Sequence, residues 1–439
     1  MPSELVILSL VIVTALAFDF TNGFHDTANA MATSIATKAF KPKTAVTLSA
    51  ILNLIGAFLS VEVALTVTNS VVNIQDASGA PRPELLQDGG QALLLIVLAG
   101  LVGAITWNLI TWLLGLPSSS SHALFGGLVG ATMAGLGTAG VNWLGDGTKP
   151  DGVIGKVVLP ALMSPVIAIM VASVGTWLVH KITKHVLTRY RDTGFRWGQI
   201  GSASLVALAH GTNDAQKTMG IITLALIASG RWTDLQQVPL WVKIACALAI
   251  TLGTYTGGWR IIRTMGKGLV ELTPPQGMAA EFSTASVVLI SSHMGFALST
   301  THVATGSILG SGIGKKGAKV NWRVAARMLA AWCITLPSAA VMGALMWFIG
   351  HSIGGLLGAL VITAILVTGA ILMYRHSRHT RIDQNNVNAD WSDAGNGASL
   401  KPAAPTPVAT HARDDFADLK ELQPQTAHRK TGRELAEVR

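Results

Sequence analysis

The stretch GFHDTANAM at residues 23–31 returns in altered form as GTNDAQKTM at residues 211–219, each time inside a long apolar segment. Aligning Asp26 with Asp214 also pairs the glycines that begin the two motifs and the methionines that end them. Each motif places a carboxylate, amides and hydroxyls at a depth where lipid would penalise them. The chain is therefore predicted to carry one polar site that is built in two copies.

A second pair of similar segments follows in the same order, PSSSSHALFGGLVG at residues 117–130 and ALSTTHVATGSILG at residues 297–310. When His122 is set against His302, hydroxyl residues precede both histidines and two glycines at matching positions follow them. Two motifs repeated in one order predict two homologous halves. Many secondary transporters are built in this way, with broken helices that meet near the bilayer midplane.

The composition predicts a polytopic membrane protein, because 50% of the 439 residues are hydrophobic and only 13% are charged. Segments near the length of a spanning helix, about 20 residues, lie at 4–36, 44–68, 92–114, 156–180, 200–229, 238–258, 328–350 and 352–374. The first and fifth of these are expected to break at the polar motifs, and 117–140 and 283–313 to form re-entrant hairpins. The predicted fold is an all-α polytopic membrane protein with broken helices and two re-entrant helical hairpins.

The placement of Lys and Arg predicts the orientation, since basic residues concentrate in cytoplasmic loops. Basic clusters occur at 38–43, 181–199, 315–327 and 375–381. With all of them on the cytoplasmic side, the two halves have inverted topology, which suits alternating access. We expect transmembrane repeat 1 over 1–180, a basic cytoplasmic loop over 181–199, transmembrane repeat 2 over 200–375, and a disordered polar cytoplasmic tail over 376–439. The chain is expected to be a multi-pass protein of the cell inner membrane.

Asp26 and Asp214 are the candidate coupling residues. A carboxylate at membrane depth usually faces a cavity and has a cation or a proton as its partner, and a helix cap or an interhelical contact is the alternative. His25 and His210 titrate closest to neutral pH and are candidate proton carriers, or else uncharged hydrogen-bonding groups. Lys217 either pairs with Asp214 on one helix face or contacts the substrate.

The hydroxyl runs of the two predicted hairpins are candidate anion-binding elements. If each run begins a half-helix, the free backbone N–H groups and the helix dipole favour an anion. Close packing of small residues is the alternative. An anion beside two carboxylates would be repelled unless a proton or Na⁺ lies between them. The sequence therefore predicts transport of an oxyanion together with a cation.

The motifs GFHDTANA, AHGTNDAQK, SSSSHA and STTHVA, in this order, resemble the inorganic phosphate transporter family known as PiT, and within it the bacterial low-affinity phosphate permeases. The resemblance covers about residues 1–375 and implies a symporter of inorganic phosphate that works by alternating access and is not an enzyme. It implies phosphate binding by Asp26, Asn29, Asn213, Asp214, Ser119, Ser120, Ser121, Ser299, Thr300 and Thr301. The coupling ion is expected at Asp26, Asp214, His25 and His210.

The motifs depart from the GANDVANA pattern of the Na⁺-coupled family members. His25 stands at an Asn position, and Gln216 and Lys217 replace Ala-Asn in the second copy. Both changes remove or crowd neutral oxygen ligands, so H⁺ is the expected coupling ion and Na⁺ the alternative. The resemblance also allows a divalent metal to travel with phosphate, whereas no cofactor and no resident metal site is assigned.

The same motifs allow other functions. A sulfate permease and a passive anion channel are the nearest alternatives. An intramembrane hydrolase that uses Ser120 with His122 and Ser299 with His302 is more remote, because the chain has no GxSxG nucleophile elbow. Glu62 lies in the apolar run 44–68 as either a proton relay or a charge partner. The expected partners are phosphate and the lipid bilayer, with no nucleic acid, and a homodimer is left open.

Overall fold

The computed structural model describes residues 2–70, 90–145, 152–186, 188–234 and 237–388, and these are almost entirely helical. The helices are α1 Pro2–Ala36, α2 Pro42–Gly56, α3 Glu62–Ser70, α4 Gln91–Leu113, α5 Ser120–Leu136, α6 Leu159–Ile182, α7 Thr188–Ala228, α8 Leu240–Thr256, α9 Trp259–Arg263, α10 Pro274–His293, α11 Thr300–Ile313, α12 Trp322–Ile353 and α13 Gly355–Ser377. Single π-helical turns at Ile154–Val158 and Thr264–Gly268 precede α6 and follow α9. Within these ranges the strand pairing is limited to one isolated bridge between Val270 and Val320.

Several helices have the length and apolar character of membrane spans. Five such spans occur at Ser3–Ala36, Gln91–Leu113, Ile154–Ile182, Trp322–Ile353 and Gly355–Thr380, and α8 with the α9 segment forms a sixth that is bent by 59°. The helices α6, α12 and α13 expose large apolar side chains such as Leu162, Val341 and Leu357. Because such side chains belong against acyl chains, the prediction of an all-helical membrane protein is confirmed.

The helix breaks lie at other places than predicted. The helices α1 and α7 run unbroken through 23–31 and 211–219, so the prediction of breaks at the polar motifs is wrong. The polar side chains find partners on neighbouring helices, and the backbone hydrogen bonds need not open to satisfy them. The chain breaks instead between α2 and α3, and between α8 and α9, where Gly257 has a φ of +73°.

Two predicted boundaries also differ from the structure. Most of the predicted loop at 181–199 is helical, because α7 already begins at Thr188. The predicted tail start at 376 lies inside α13. The residues that follow are in contact with α9, where Arg260 donates to the carbonyl oxygens of Ser377 and Thr380 at 2.9 and 2.7 Å. The rest of the predicted tail, residues 389–439, lies outside the described residues.

The two motif helices pack crosswise on helices of the opposite half, through matching glycines. A Cβ added to Gly23 on α1 would lie 2.4 Å from the carbonyl oxygen of Ile250 on α8. A Cβ added to Gly211 on α7 would lie 2.3 Å from the carbonyl oxygen of Asn53 on α2. These glycines therefore serve close helix approach, which explains why they do not interrupt their helices.

The short helices α5 and α11 pack crosswise in the same way. A Cβ on Gly130 of α5 would lie 1.9 Å from the carbonyl oxygen of Ala340 on α12. A Cβ on Gly310 of α11 would lie 2.4 Å from the carbonyl oxygen of Ile169 on α6. Both receiving helices contain one internal proline. Matching glycines of the two hydroxyl-rich motifs thus make matching close contacts.

Gly130→Ala is expected to destabilise the protein, because its methyl group would meet backbone that cannot rotate away. Overpacking of this kind costs about 1–3 kcal/mol, so the thermal unfolding midpoint in detergent is expected to fall. Gly201→Ala is the matched control, because nothing lies within 4 Å of the added Cβ at that helical position. A Gly130→Ala midpoint equal to that of the control would contradict the close approach of α5 and α12.

Candidate functional site

Four helices bring their polar motifs together in the buried centre of the bundle. The hydroxyl of Thr300, at the start of α11, donates to Asp214 Oδ2 at 3.0 Å and lies 3.5 Å from Asp26 Oδ2. Ser120, at the start of α5, donates to Asp26 Oδ1 at 3.1 Å. All four residues are at most 3% exposed. The two carboxylates of the duplicated motif therefore share one site with both hydroxyl runs.

The two hydroxyl runs form helix N-termini with the same cap. The Ser119 hydroxyl oxygen accepts from the His122 backbone N–H at 3.1 Å, and Ser299 accepts from the His302 backbone N–H at 3.2 Å. Both serines have an extended backbone, which is typical of an N-cap residue. Because the first residue of each helix touches the carboxylates, both helix N-termini, with their partial positive charge, point into the site.

Lys217 joins the two hydroxyl runs to the second carboxylate. Its ammonium group pairs with Asp214 Oδ1, donates to Ser121 Oγ at 2.6 Å and donates to the Leu298 carbonyl oxygen at 2.9 Å. The side chain is only 1% exposed. Of the two interpretations of Lys217, the structure contains the pair with Asp214, and the same ammonium also borders the space between the hydroxyl runs.

Each carboxylate also has a histidine partner. His25 Nδ1 lies 2.6 Å from Asp26 Oδ1, and His210 Nε2 lies 2.8 Å from Asp214 Oδ2. The other ring nitrogen of each histidine lies 3.3 Å from a side-chain oxygen on a neighbouring helix. The site thus holds two His–Asp pairs, one from each of the two motif helices.

The two predicted asparagine ligands have different surroundings. Asn29 donates to the hydroxyl oxygens of Thr300 and Thr301 at 3.2 and 3.0 Å. Asn213 instead donates to Ser292 Oγ on α10 at 2.8 Å, and its Oδ1 has no hydrogen-bond partner in the described part of the chain. Asn29 therefore belongs to the network around the carboxylates, whereas Asn213 lies beside it against α10.

Most of the ten predicted phosphate ligands are thus brought together. Those in the hydrogen-bond network of the two carboxylates are Asp26, Asn29, Asp214, Ser120, Ser121, Thr300 and Thr301. Ser119 and Ser299 are the N-caps of the two helices that enter it. Of the predicted coupling residues, all four lie in this network.

Three of these groups are close enough to share a metal ion. One ligand atom each of Asp26, His210 and Asp214 lies within 4.8 Å of the other two. Carboxylate and imidazole are suitable ligands for a divalent metal. The ammonium of Lys217 already neutralises one oxygen of Asp214, so a metal here would compete with a fixed positive charge.

Two buried carboxylates escaped the sequence analysis. Glu281 on α10 is 2% exposed and accepts hydrogen bonds from Thr33, from Ser202 at 2.8 Å and from Gln199 at 3.3 Å. Asp19 on α1 is fully buried. An ionisable residue inside an apolar helix is itself a signal of function. The sequence contains this signal for Asp19, which lies two helical turns before Asp26.

Glu62 and the hydroxyl–histidine pairs have other roles than those suggested for them. Glu62 is exposed in the first turn of α3, where its charge suits the helix N-terminus. The Ser120 hydroxyl donates to Asp26. The His122 and His302 rings pack against each other edge to face, with their centroids 4.7 Å apart. Ser118 and Ser120 lie 3.4 and 3.5 Å from the ring nitrogens of His25 on α1. Among the described residues, no side-chain hydrogen bond joins Ser120 to His122 or Ser299 to His302, the pairs that a hydrolase nucleophile would use.

Comparisons with known proteins show the family of the chain. Residues 22–343 match the family described as the phosphate transporter family. A probable low-affinity inorganic phosphate transporter of Mycobacterium tuberculosis (strain ATCC 25618 / H37Rv) is 55% identical over 405 residues, which cover 91% of this chain and 92% of the relative. One of Bacillus subtilis (strain 168) is 42% identical, covering 79% and 97%. A solved structure described as the sodium-dependent phosphate transporter has the same fold, with a TM-score of 0.61 at 23% identity, covering 78% of this chain and 98% of that one.

Proposed function

The chain belongs to the phosphate transporter family, and from that premise we propose that it is a symporter that moves inorganic phosphate together with H⁺ by alternating access. The family resemblance seen in the motifs is confirmed, and the family and these relatives are transporters rather than enzymes. One observation carries the proposal: two hydroxyl-bearing helix N-termini meet two buried carboxylates that have histidine partners.

The balance of charge in the site supports proton coupling. Asp26 and Asp214 carry two negative charges when ionised, and Lys217 supplies one positive charge. Phosphate would add one or two further negative charges, and like charges about 4 Å apart repel by roughly 4 kcal/mol at an effective dielectric constant of 20. Protons on the His25 or His210 rings or on the carboxylates remove this repulsion, so phosphate and protons are expected to bind together.

The arrangement favours H⁺ over Na⁺ as the coupling ion. Na⁺ needs several oxygen ligands that no other cation occupies. Here Asp214 is already in contact with the Lys217 ammonium and the His210 ring, and Asp26 is in contact with the His25 ring. Since the fold neighbour is described as sodium-dependent, Na⁺ remains the alternative that the experiment has to separate.

Selectivity for phosphate over sulfate follows from hydrogen-bond donors on the substrate. Near neutral pH phosphate keeps at least one O–H group, which can donate to the carboxylate of Asp26 or Asp214, whereas sulfate has no proton to donate. The hydroxyls of Ser121 and Thr301 and the Lys217 ammonium would donate to the remaining phosphate oxygens. Unpaired carboxylates beside sulfate would cost binding energy.

The crosswise packing supports two inverted repeats, at about 1–180 and 200–375. Helices of each proposed repeat pack against helices of the other through matching glycines. Such packing is expected of two repeats that are related by pseudo-symmetry and rock against each other. The helices α5 and α11 have 17 and 14 residues, or about 25 and 21 Å at 1.5 Å per residue. Both begin at the central site and are shorter than a bilayer core of about 30 Å, which supports re-entrant hairpins.

The cellular setting completes the proposal. The basic segments would lie on the cytoplasmic side of the inner membrane, together with the polar C-terminal residues. A homodimer and the carriage of a divalent metal with phosphate stay proposals for the same transporter, the latter at the cluster of Asp26, His210 and Asp214.

The proposal is tested by radiolabelled phosphate uptake into proteoliposomes that contain the purified protein. Inward pH and Na⁺ gradients are applied separately, with sulfate as competitor. We expect uphill accumulation under the pH gradient alone and little competition by sulfate. Accumulation that requires the Na⁺ gradient would replace H⁺ by Na⁺ as the coupling ion, and no uphill accumulation under either gradient would contradict the proposed symport.

A further inference from the structure

Asp19 is a buried carboxylate that has no role in the proposed transport mechanism described above. It is 0% exposed on α1, and neither of its carboxylate oxygens has a hydrogen-bond partner in the described part of the chain. Glu281, the other carboxylate that is buried outside the central network in the described part of the chain, has three side-chain donors. Because an unpaired buried carboxylate is costly, the fold retains Asp19 without the compensation that Glu281 has.

The position of Asp19 connects it to the central site. It precedes Asp26 by seven residues on one unbroken helix, which places it about 10 Å along the helix axis on the same face. On the other side of Asp26, the same spacing leads to Thr33, the partner of Glu281. The central site therefore has a buried carboxylate about two turns away in each direction along α1.

The neighbours of Asp19 point towards the second motif. Thr218 on α7 lies close enough to act on the Asp19 carboxylate, although within the described residues neither the Thr218 hydroxyl nor the carboxylate has a hydrogen-bond partner of ordinary geometry. The charged groups within electrostatic range are Asp214 and Lys217, also on α7. Thr218 follows Asp214 by one helical turn, so Asp19 is close to the helix that carries Asp214 and Lys217.

The other helices packed against α1 place few titratable groups near Asp19. Cys246 on α8 is within electrostatic range. The sequence of α4 contains no titratable side chain, that of α2 only Lys43 in its first turn, and that of α13 only groups in its last turn. The amide oxygen of Asn22, one turn after Asp19, is also buried and unpartnered. Within the described ranges, the surroundings thus supply hydrogen-bonding oxygens, and no ion pair with Asp19 is formed.

We propose that Asp19 is a proton-binding site of the transporter, separate from the phosphate site, which takes up the coupling proton while phosphate is bound. This inference rests on the proposed H⁺ symport. A bound proton forms an O–H bond on one carboxylate oxygen, which turns Asp19 into a neutral acid that can donate to the Thr218 or Asn22 oxygen. When the proton leaves on the other side of the membrane, that O–H bond breaks and the carboxylate regains its charge.

A proton suits this position better than a metal cation. A proton needs one oxygen and leaves a neutral side chain, whereas Na⁺ needs several converging oxygen ligands. The ammonium of Lys217 acts on Asp19 from α7 and would repel a resident metal ion. Asp19 is a coupling residue in this account, and it does not touch phosphate.

The test compares net transport with exchange in proteoliposomes that contain the full chain, either wild type or Asp19→Asn. The first measurement is phosphate accumulation driven by a pH gradient, with lumenal pH followed by a trapped dye. The second is exchange of labelled for unlabelled phosphate at equal pH, which needs no net proton movement. For Asp19→Asn we expect accumulation and the coupled pH change to fall roughly tenfold or more, with exchange within about threefold of wild type.

Two further variants accompany this comparison. Asp19→Glu keeps a carboxyl group and is expected to recover part of the accumulation. Glu62→Gln makes the same carboxylate-to-amide change at an exposed position outside the site, and is expected to accumulate phosphate as wild type does.

The outcomes separate this inference from the proposed function. If wild type does not accumulate phosphate under a pH gradient, the proposed H⁺ symport fails. If wild type accumulates phosphate and Asp19→Asn does so equally well, only the role of Asp19 is refuted. Loss of exchange together with accumulation in Asp19→Asn would also refute it, because Asp19 would then serve phosphate binding or folding.

Discussion

Asp26→Asn and Asp214→Asn are each expected to lower phosphate uptake by about 100-fold or more, while the protein still folds. Each change keeps the shape of the side chain and removes the charge that receives a hydroxyl and an imidazole: Ser120 and His25 at Asp26, Thr300 and His210 at Asp214. A hydrogen bond to a charged group contributes about 1.5–3 kcal/mol, and each 1.4 kcal/mol is tenfold. Two such bonds at each carboxylate therefore account for a loss of this size.

The measurement is initial phosphate uptake in proteoliposomes, with the thermal midpoint in detergent as the record of folding. Glu271→Gln is the control, because it makes the same chemical change at a carboxylate that is 74% exposed. A wild-type uptake rate in Asp26→Asn would remove the first carboxylate from the transport site. Equal and severe losses in both variants are expected from a site that each half builds in the same way.

The sequence located this site because its signals are local and duplicated. Asp26 and Asp214 are carboxylates in apolar surroundings, and their motifs match along the chain. The hydroxyl runs that contain Ser119 and Ser299 were expected at the starts of half-helices, because each run stands before an apolar run with regular glycines. These inferences need no knowledge of which helices are neighbours.

Features that depend on which helices are neighbours could not be predicted from the sequence. Polar residues in α1 and α7 were expected to break both helices, yet Gly23 and Gly211 lie against backbone of α8 and α2. The donors to Glu281 come from two distant segments, with Thr33 on α1 and Gln199 and Ser202 on α7. Since no spacing within one segment reports such contacts, neither the unbroken helices nor the Glu281 network could be derived from the motifs.

Lys217→Met is expected to destabilise the protein by about 3–5 kcal/mol, because it leaves a buried carboxylate without its ion-pair partner. Lys217 and Asp214 are at most 1% exposed, so water does not replace the lost ammonium. The double variant Lys217→Met/Asp214→Asn removes both charges and is expected to recover most of this stability. Phosphate uptake is expected to be lost in both variants, since the ammonium between Ser121 and the Leu298 carbonyl is absent from each.

A double-mutant cycle of thermal midpoints in detergent measures the coupling between the two side chains. Lys319 and Glu271 serve as the matched control pair, because their charged atoms lie 4.0 Å apart on side chains that are 82% and 74% exposed. Exposed pairs of this kind contribute little, so Lys319→Met is expected to leave the midpoint unchanged. If the single changes at Lys217 and Asp214 were additive, the buried pair would not be coupled, and the ammonium would be free to serve phosphate alone. The expected non-additive result, with stability recovered in the double variant, would instead show that Lys217 neutralises Asp214, whereas the lost uptake of the double variant already follows from the absence of the Asp214 carboxylate.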